Sequence, residues 1–160
     1  MGHRAVVAVL VALAMSFIIA PEPQVAASFT VDSTADSGAD GSLGDRICGF
    51  GCECTLRAAI NDANAAPCMD TIAFDPSTSR TIRPNSLLPA ITAPVVIDGT
   101  TEPDYSGQPI VEIVGNQVGV LNSDDTRGLL VTAGNTMIRG LVINQFLRDA
   151  CWLSAQMGQK

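Results

Sequence analysis

The sequence is poor in the side chains that most hydrolases and nucleic-acid-binding proteins rely on. Of its 160 residues one is histidine, one tryptophan and one tyrosine, and aromatic residues amount to 4%. The single lysine is the last residue, Lys160, and nine Lys and Arg stand against sixteen Asp and Glu, for a formal net charge of -7. A chain so short of cations lacks the clustered Lys and Arg that phosphate contacts require, which excludes nucleic acid as a partner. Charged residues make up only 16%, against roughly 25% in an average globular domain, while hydrophobic residues reach 47%. That balance excludes intrinsic disorder. The length suits one modest domain, since single cores usually span about 100–200 residues.

The lone histidine, His3, sits in a leader. Met1-Gly2-His3-Arg4 carries positive charge, residues 5–20 are apolar, and Pro21 ends any helix there. The apolar run falls short of the roughly 18 residues a spanning helix needs. Val25-Ala26-Ala27 supplies small residues for signal-peptide cleavage, so residues 1–27 read as a signal peptide cut after Ala27. An uncleaved anchor is the competing reading. No cysteine follows the cut to mark a lipoprotein, and no stable membrane span is expected after cleavage. Export discards His3, and with it any imidazole for a triad, a proton relay or a nitrogen-ligated metal. No G-x-S-x-G occurs either, which sets serine hydrolysis aside.

Cys48, Cys52, Cys54 and Cys68 cluster within a short stretch, and Cys151 stands apart. In an exported chain such a cluster reads as disulfides. A Cys52–Cys54 bridge would close a strained loop, which favours schemes joining Cys48 or Cys52 to Cys54 or Cys68. The rival is a four-thiolate zinc site, but the spacing C-x3-C-x-C-x13-C departs from paired C-x-x-C knuckles. Cys151 is left over, as a free thiol or an intermolecular partner. No cofactor is expected.

Residues 28–31 open a strand, and residues 32–51 form a loop rich in Gly, Ser and Asp. Thr55 then offers an N-cap, and Leu56, Ala59, Ile60 and Ala63 recur at i, i+3, i+4 and i+7, which predicts a helix over 55–65 with one narrow apolar stripe. Arg57, Asn61, Asp62 and Asn64 lie off that stripe, and Pro67 ends the helix. After Asp70 the texture becomes short β-branched runs: 71–74, 81–82, 94–97, 110–114, 129–131 and 137–143. Ile91-Thr92-Ala93 with Val96-Ile97-Asp98-Gly99 matches Val131-Thr132-Ala133 with Met137-Ile138-Arg139-Gly140, at an offset of about 40 residues, as one long repeat or two coils of about 20. Within these runs Val111 and Ile113 face one way and Glu112 the other, and Ile138 faces in while Arg139 faces out. The expected fold from these runs is therefore an all-β solenoid of stacked coils with a short N-terminal capping α-helix. In such a fold the helix covers an otherwise open end, and disulfides around it contribute about 2–4 kcal/mol per bridge.

Cys54-Thr55-Leu56-Arg57-Ala58-Ala59-Ile60-Asn61-Asp62-Ala63-Asn64-Ala65 resembles the motif of the CSLREA domain, an N-terminal module of exported bacterial proteins. Phe29-Thr30-Val31-Asp32-Ser33-Thr34-Ala35-Asp36 resembles its opening strand, and Asp70-Thr71-Ile72-Ala73-Phe74-Asp75 the segment after its helix. Residues 97–107 and 136–144 are similar to first coils of right-handed parallel β-helices of the pectin-lyase-like class, so the resemblance implies an all-β fold, a right-handed parallel β-helix (solenoid) with a short N-terminal capping α-helix. The resemblance implies a cap over 28–70 and first coils over 71–146. It also implies a large secreted or cell-surface protein with a structural or adhesive role and an extracellular glycan or protein as partner. Ala58 stands where the family usually has Glu, which removes the reciprocal half of a capping box and weakens the helix start by about 0.5–1 kcal/mol. Residues 147–160 hold Cys151, Trp152 and Lys160 without strand alternation, an atypical tail that reads as truncation or frameshift of a longer β-helix.

Two kinds of chemistry compete with that reading. Asp36, Asp40 and Asp45 suggest calcium, but Ile47 falls where an EF-hand loop needs its bidentate Glu, so a solvated acidic loop is expected. Asp98, Glu112, Asp124, Asp125, Arg127 and Arg139 are the candidates for a polysaccharide lyase or hydrolase, of which the chain would be a remnant or fragment. Asp124 and Asp125 are adjacent and read as solvated turn charges. Tyr105 and Trp152 are the aromatics suited to sugar stacking, and Tyr105 is expected to pack a turn instead. The expectation is a non-enzyme, with catalytic, cofactor and metal residues all absent.

Overall fold

The computed structural model describes residues 25–38, 48, 53–66, 68–75, 80–118, 127–148 and 150–153. The leader up to residue 24, Asp40, Asp45, Cys52, Pro67, Asp124, Asp125 and the last residues of the tail lie outside these.

The first strand, β1 (Ser28–Val31), alternates, with Phe29 and Val31 buried. Its exit is tied to the start of the helix. The Asp32 and Ser33 amides donate to the Cys54 carbonyl, and the Cys54 amide donates to Asp32 Oδ1 at 2.7 Å. The helix, α1 (Leu56–Ala65), begins where the sequence places it: Thr55 is extended and its Oγ1 accepts the Ala58 amide at 3.2 Å. Leu56, Ala59, Ile60 and Ala63 are buried in the core as the stripe requires, and α1 packs on β1 and β2. Ala58 and Asp62 are buried too, so the helix is covered more widely than one narrow stripe. Complete burial of Ala58 means that a carboxylate side chain there would have to be desolvated.

Among the described residues eight further strands follow: β2 (Asp70–Phe74), β3 (Thr81–Ile82), β4 (Val95–Asp98), β5 (Val111–Val114), β6 (Leu129–Val131), β7 (Met137–Arg139), β8 (Leu141–Asn144) and β9 (Cys151–Leu153). They form three sheets, ordered β1-β2-β4-β7, β3-β5-β8 and β6-β9, and every pair is parallel. Leu56, Ile60, Ile72, Phe74, Ile82, Ile97, Val111, Ile113 and Leu129 meet in a single apolar cluster fed by the helix and all three sheets. Alternation explains who enters it: Val111 and Ile113 are buried while Glu112 between them is not.

This corrects the expected fold class. Short parallel strands in small sheets, with one α-helix among the described residues, replace a right-handed parallel β-helix built of uniform coils. The pairings span unequal lengths of chain: Thr71 is paired with both Ser28 and Val96, Thr81 with Glu112, and Leu129 with Cys151. Among the described residues, sheets of four, three and two strands follow. The internal sequence match has a simpler meaning. Ile91 bridges to Val131 and Ile97 pairs with Ile138, so the two copies are neighbours across one step of pairing. Within 137–143 the β-branched run is two strands, divided at Gly140, whose φ of 68° sends β8 to another sheet than β7. The tail, which shows no alternation, carries β9.

Candidate functional site

The polar groups singled out in the sequence are placed by strand register. Asp98 ends β4 directly opposite Arg139 of β7. Its Oδ2 accepts from Arg139 Nη2 at 2.5 Å, and its Oδ1 accepts from the amide and hydroxyl of Thr100 at 3.0 and 2.6 Å. Asp98 thereby caps the 3-10 turn Gly99–Thr101, while Thr101 Oγ1 accepts the Phe74 amide and donates to the Asp98 carbonyl. The Arg139 guanidinium holds the Asp98 carboxyl below the usual carboxylate range. Burial opposes that shift and the Thr100 hydroxyl and amide reinforce it. In return, Asp98 and, at longer range, Tyr105 raise Arg139.

A second ionic group adjoins this turn. Arg80 Nε donates to Glu102 Oε1 at 2.6 Å and its Nη2 pairs with Asp104. Glu102 is buried, and its Oε2 accepts the Asp104 amide at 2.8 Å. Tyr105 is half-buried and donates its amide to the Glu102 carbonyl at 2.9 Å. On the second sheet Glu112 of β5 accepts from Asn144 Nδ2 of β8 at 2.7 Å and lies 3.5 Å from Thr81 Oγ1 of β3.

Of the six lyase-like or hydrolase-like candidates, the structure brings Asp98 and Arg139 together and sets Glu112 on a different sheet with Thr81 and Asn144. Arg127 is half-buried just before β6. A pocket of about 230 Å³ is lined by Val131, Thr136, Ile138 and Cys151, none of them a carboxylate. Among the described residues no group of three or more His, Cys, Asp or Glu side chains is placed to hold a metal ion.

Cys48 and Cys54 form a disulfide with a Cα separation of 4.9 Å, one of the pairings the cluster allows. Cys68 is half-buried beyond α1. Cys151 is exposed on β9, and partial burial of its sulfur pushes the thiol up. No helix among the described residues is long and apolar enough to cross a membrane.

Asp36 is not the solvated loop charge that its Gly- and Ser-rich context suggests. Arg57 of α1 grips it through Nε at 2.8 Å and Nη2 at 3.0 Å, and the Asn85 amide donates to its Oδ2 at 2.7 Å. The same guanidinium donates to the Ser86 and Leu87 carbonyls. One helical turn pair further on, Asn64 accepts the Thr92 and Ala93 amides and donates to the Ala90 carbonyl at 2.7 Å. Arg57 and Asn64 thus fasten residues 85–93 to the helix. Sequence reasoning missed this because the partners are backbone groups far along the chain, and only the unusual pairing of a helix face rich in Arg and Asn with a Pro-rich segment hints at it.

Comparison of the chain with protein-family models, with curated proteins and with solved structures returns no match.

Proposed function

We propose that the chain is an exported module with a structural or adhesive role, displayed at the cell surface or secreted, which contacts an extracellular glycan or protein and catalyses no reaction. The observation that carries this reading is the use made of its candidate catalytic groups. Asp98 is committed to Arg139 and Thr100, and Glu112 to Asn144, so the carboxylates serve to join neighbouring strands. The Cys48–Cys54 bridge suits an oxidising compartment, and the basic, then apolar, then small-residue order of residues 1–27 suits export. The resemblance of residues 54–65 to the CSLREA module points the same way.

The test is made on the chain recovered from an export-competent bacterial host. Incubation with pectic and other acidic or neutral glycans should release neither unsaturated nor reducing ends, while immobilised glycans or extracellular proteins should retain it. Turnover that disappears in Asp98→Asn would overturn the proposal in favour of a carbohydrate-active enzyme.

A further inference from the structure

Asp70 is completely buried at the start of β2, and only one of its carboxylate oxygens is satisfied. Oδ1 accepts the backbone amide of Ala27 at 2.7 Å, while Oδ2 has no hydrogen-bond partner among the described residues. A buried carboxylate with a single neutral donor is a costly arrangement, and it calls for a cation with more than one proton to donate. Its sole donor among the described residues is the amide at the edge of the small-residue stretch Val25-Ala26-Ala27.

We infer that the mature chain begins at Ala27, one residue earlier than the small-residue pattern alone suggests, and that the new α-ammonium group is the counter-ion of Asp70. Two cuts put an alanine just before the scissile bond, and the leader pattern favours the one after Ala27, since the one after Ala26 places Gln24 where a small residue is usual. The fold separates them. Loss of Ala27 would remove the donor to Asp70 and also the carbonyl that accepts the Thr71 amide at 2.9 Å, the bond that aligns β1 with β2. Cleavage before Ala27 keeps both. Hydrolysis of the Ala26–Ala27 amide by an export-linked endopeptidase adds water across the C–N bond. Ala26 leaves as a carboxylate, and the Ala27 amine takes up a proton at neutral pH, given an ordinary α-amino value of about 7.7–8.0. The ammonium then has three protons where the amide had one, enough to reach the bare Oδ2 as well as Oδ1. Export would in this way be coupled to completion of the fold, since the uncut chain leaves Asp70 half-satisfied.

The inference rests on the export reading, and the experiment separates the two. The full-length chain is expressed in an export-competent bacterial host, and the N-terminal peptide of the exported protein is identified by mass spectrometry. Ala27 as first residue is expected. Ser28 as first residue overturns this inference and leaves export standing, whereas a chain still carrying Met1 overturns both. Stability supplies the second arm. Refolded chains beginning at Val25, at Ala27 and at Ser28 are compared by thermal unfolding, and the Ala27 chain should have the highest midpoint. Equal midpoints for the Val25 and Ala27 chains would show that the charge contributes nothing. Asp70→Asn should abolish the advantage of Ala27 over Val25; if that variant does not fold, the comparison of the three wild-type chains decides.

Discussion

Gly99, which follows β4, lies against the carbonyl oxygen of Gly140, which follows β7, with no room between them for a methyl group. The approach is a consequence of register. Asp98 and Arg139 are direct partners, so the residue after each must turn at the same level of the sheet, and both turns are glycine. A Cβ at Gly140 would in turn strike the Thr100 backbone, at a φ of 68° that side chains other than glycine avoid.

Gly99→Ala is therefore expected to force the two turns apart and to destabilise the protein by about 1–3 kcal/mol, the usual range for overpacking. Gly134→Ala is the control, because nothing lies within 4 Å of the added carbon, and it should stay within about 0.5 kcal/mol of wild type. Urea unfolding of the two variants beside wild type measures the difference. Equal effects would mean that the close approach is relieved by small backbone shifts.

Thr55 is buried and works in two directions, accepting the Ala58 amide and donating to the Ser37 carbonyl at 2.7 Å. Thr55→Ala should cost about 1–2 kcal/mol, toward the upper end of helix-cap losses because the second bond goes with the first. Thr55→Ser should recover most of it. The loss is read from the urea midpoint, and circular dichroism shows whether the helical signal falls.

The helix and most strands are legible in the sequence because their causes are local. Thr55 as cap, the recurrence Leu56, Ala59, Ile60, Ala63, and β-branched runs between Gly and Pro each act over a few residues. Pairing is not local. The matching segments around Ile97 and Ile138 look like a repeat unit, and only their direct contact across β4 and β7 shows that one step of pairing separates them. The uneven spacing of the other pairs is invisible to any search for a period, which is why a uniform coil is the wrong extrapolation. The candidate site divides in the same way. Arg139 is recognisable as an outward-facing charge and Asp98 as a candidate carboxylate, but their mutual pairing, the grip of Arg57 on Asp36 and the burial of Asp70 depend on segments that meet only in the fold.

Arg57 joins a buried aspartate to two backbone carbonyls, so its removal strands several acceptors at once. Arg57→Ala should destabilise by roughly 1–3 kcal/mol, chiefly the cost of leaving the largely covered Asp36 carboxylate without its cation, because water can reach the exposed Ser86 and Leu87 carbonyls. Arg57→Lys should recover only part of this, because an ammonium cannot match the two-pronged contact with Asp36 while reaching Ser86 and Leu87. Hydrogen exchange should locate the damage: the Asn85 and Thr92 amides both anchor the same segment, but Thr92 is held by Asn64 and should keep more protection than Asn85.

The Asp98–Arg139 pair makes a prediction with a definite sign. Asp98 titrates below its unfolded value of about 3.9, chiefly because of its hydrogen bond to Arg139. In the window between the depressed folded value and the unfolded one, the unfolded chain binds more protons than the folded chain, so stability rises with pH there. The contribution is fully present above the unfolded value and is lost as pH falls through the folded one. Arg139→Gln should accordingly be less stable than wild type at about pH 7, and the gap should close in acid as pH falls through the depressed folded value and Asp98 is protonated in both proteins. Added salt should narrow the gap at neutral pH, because the Arg139 side chain is 56% exposed and open to screening. Urea unfolding over this range of pH, at low and high salt, checks both trends. A gap that stays constant from neutral to acid pH would assign the role of Arg139 to the packing of its aliphatic stem on β7 and not to its charge.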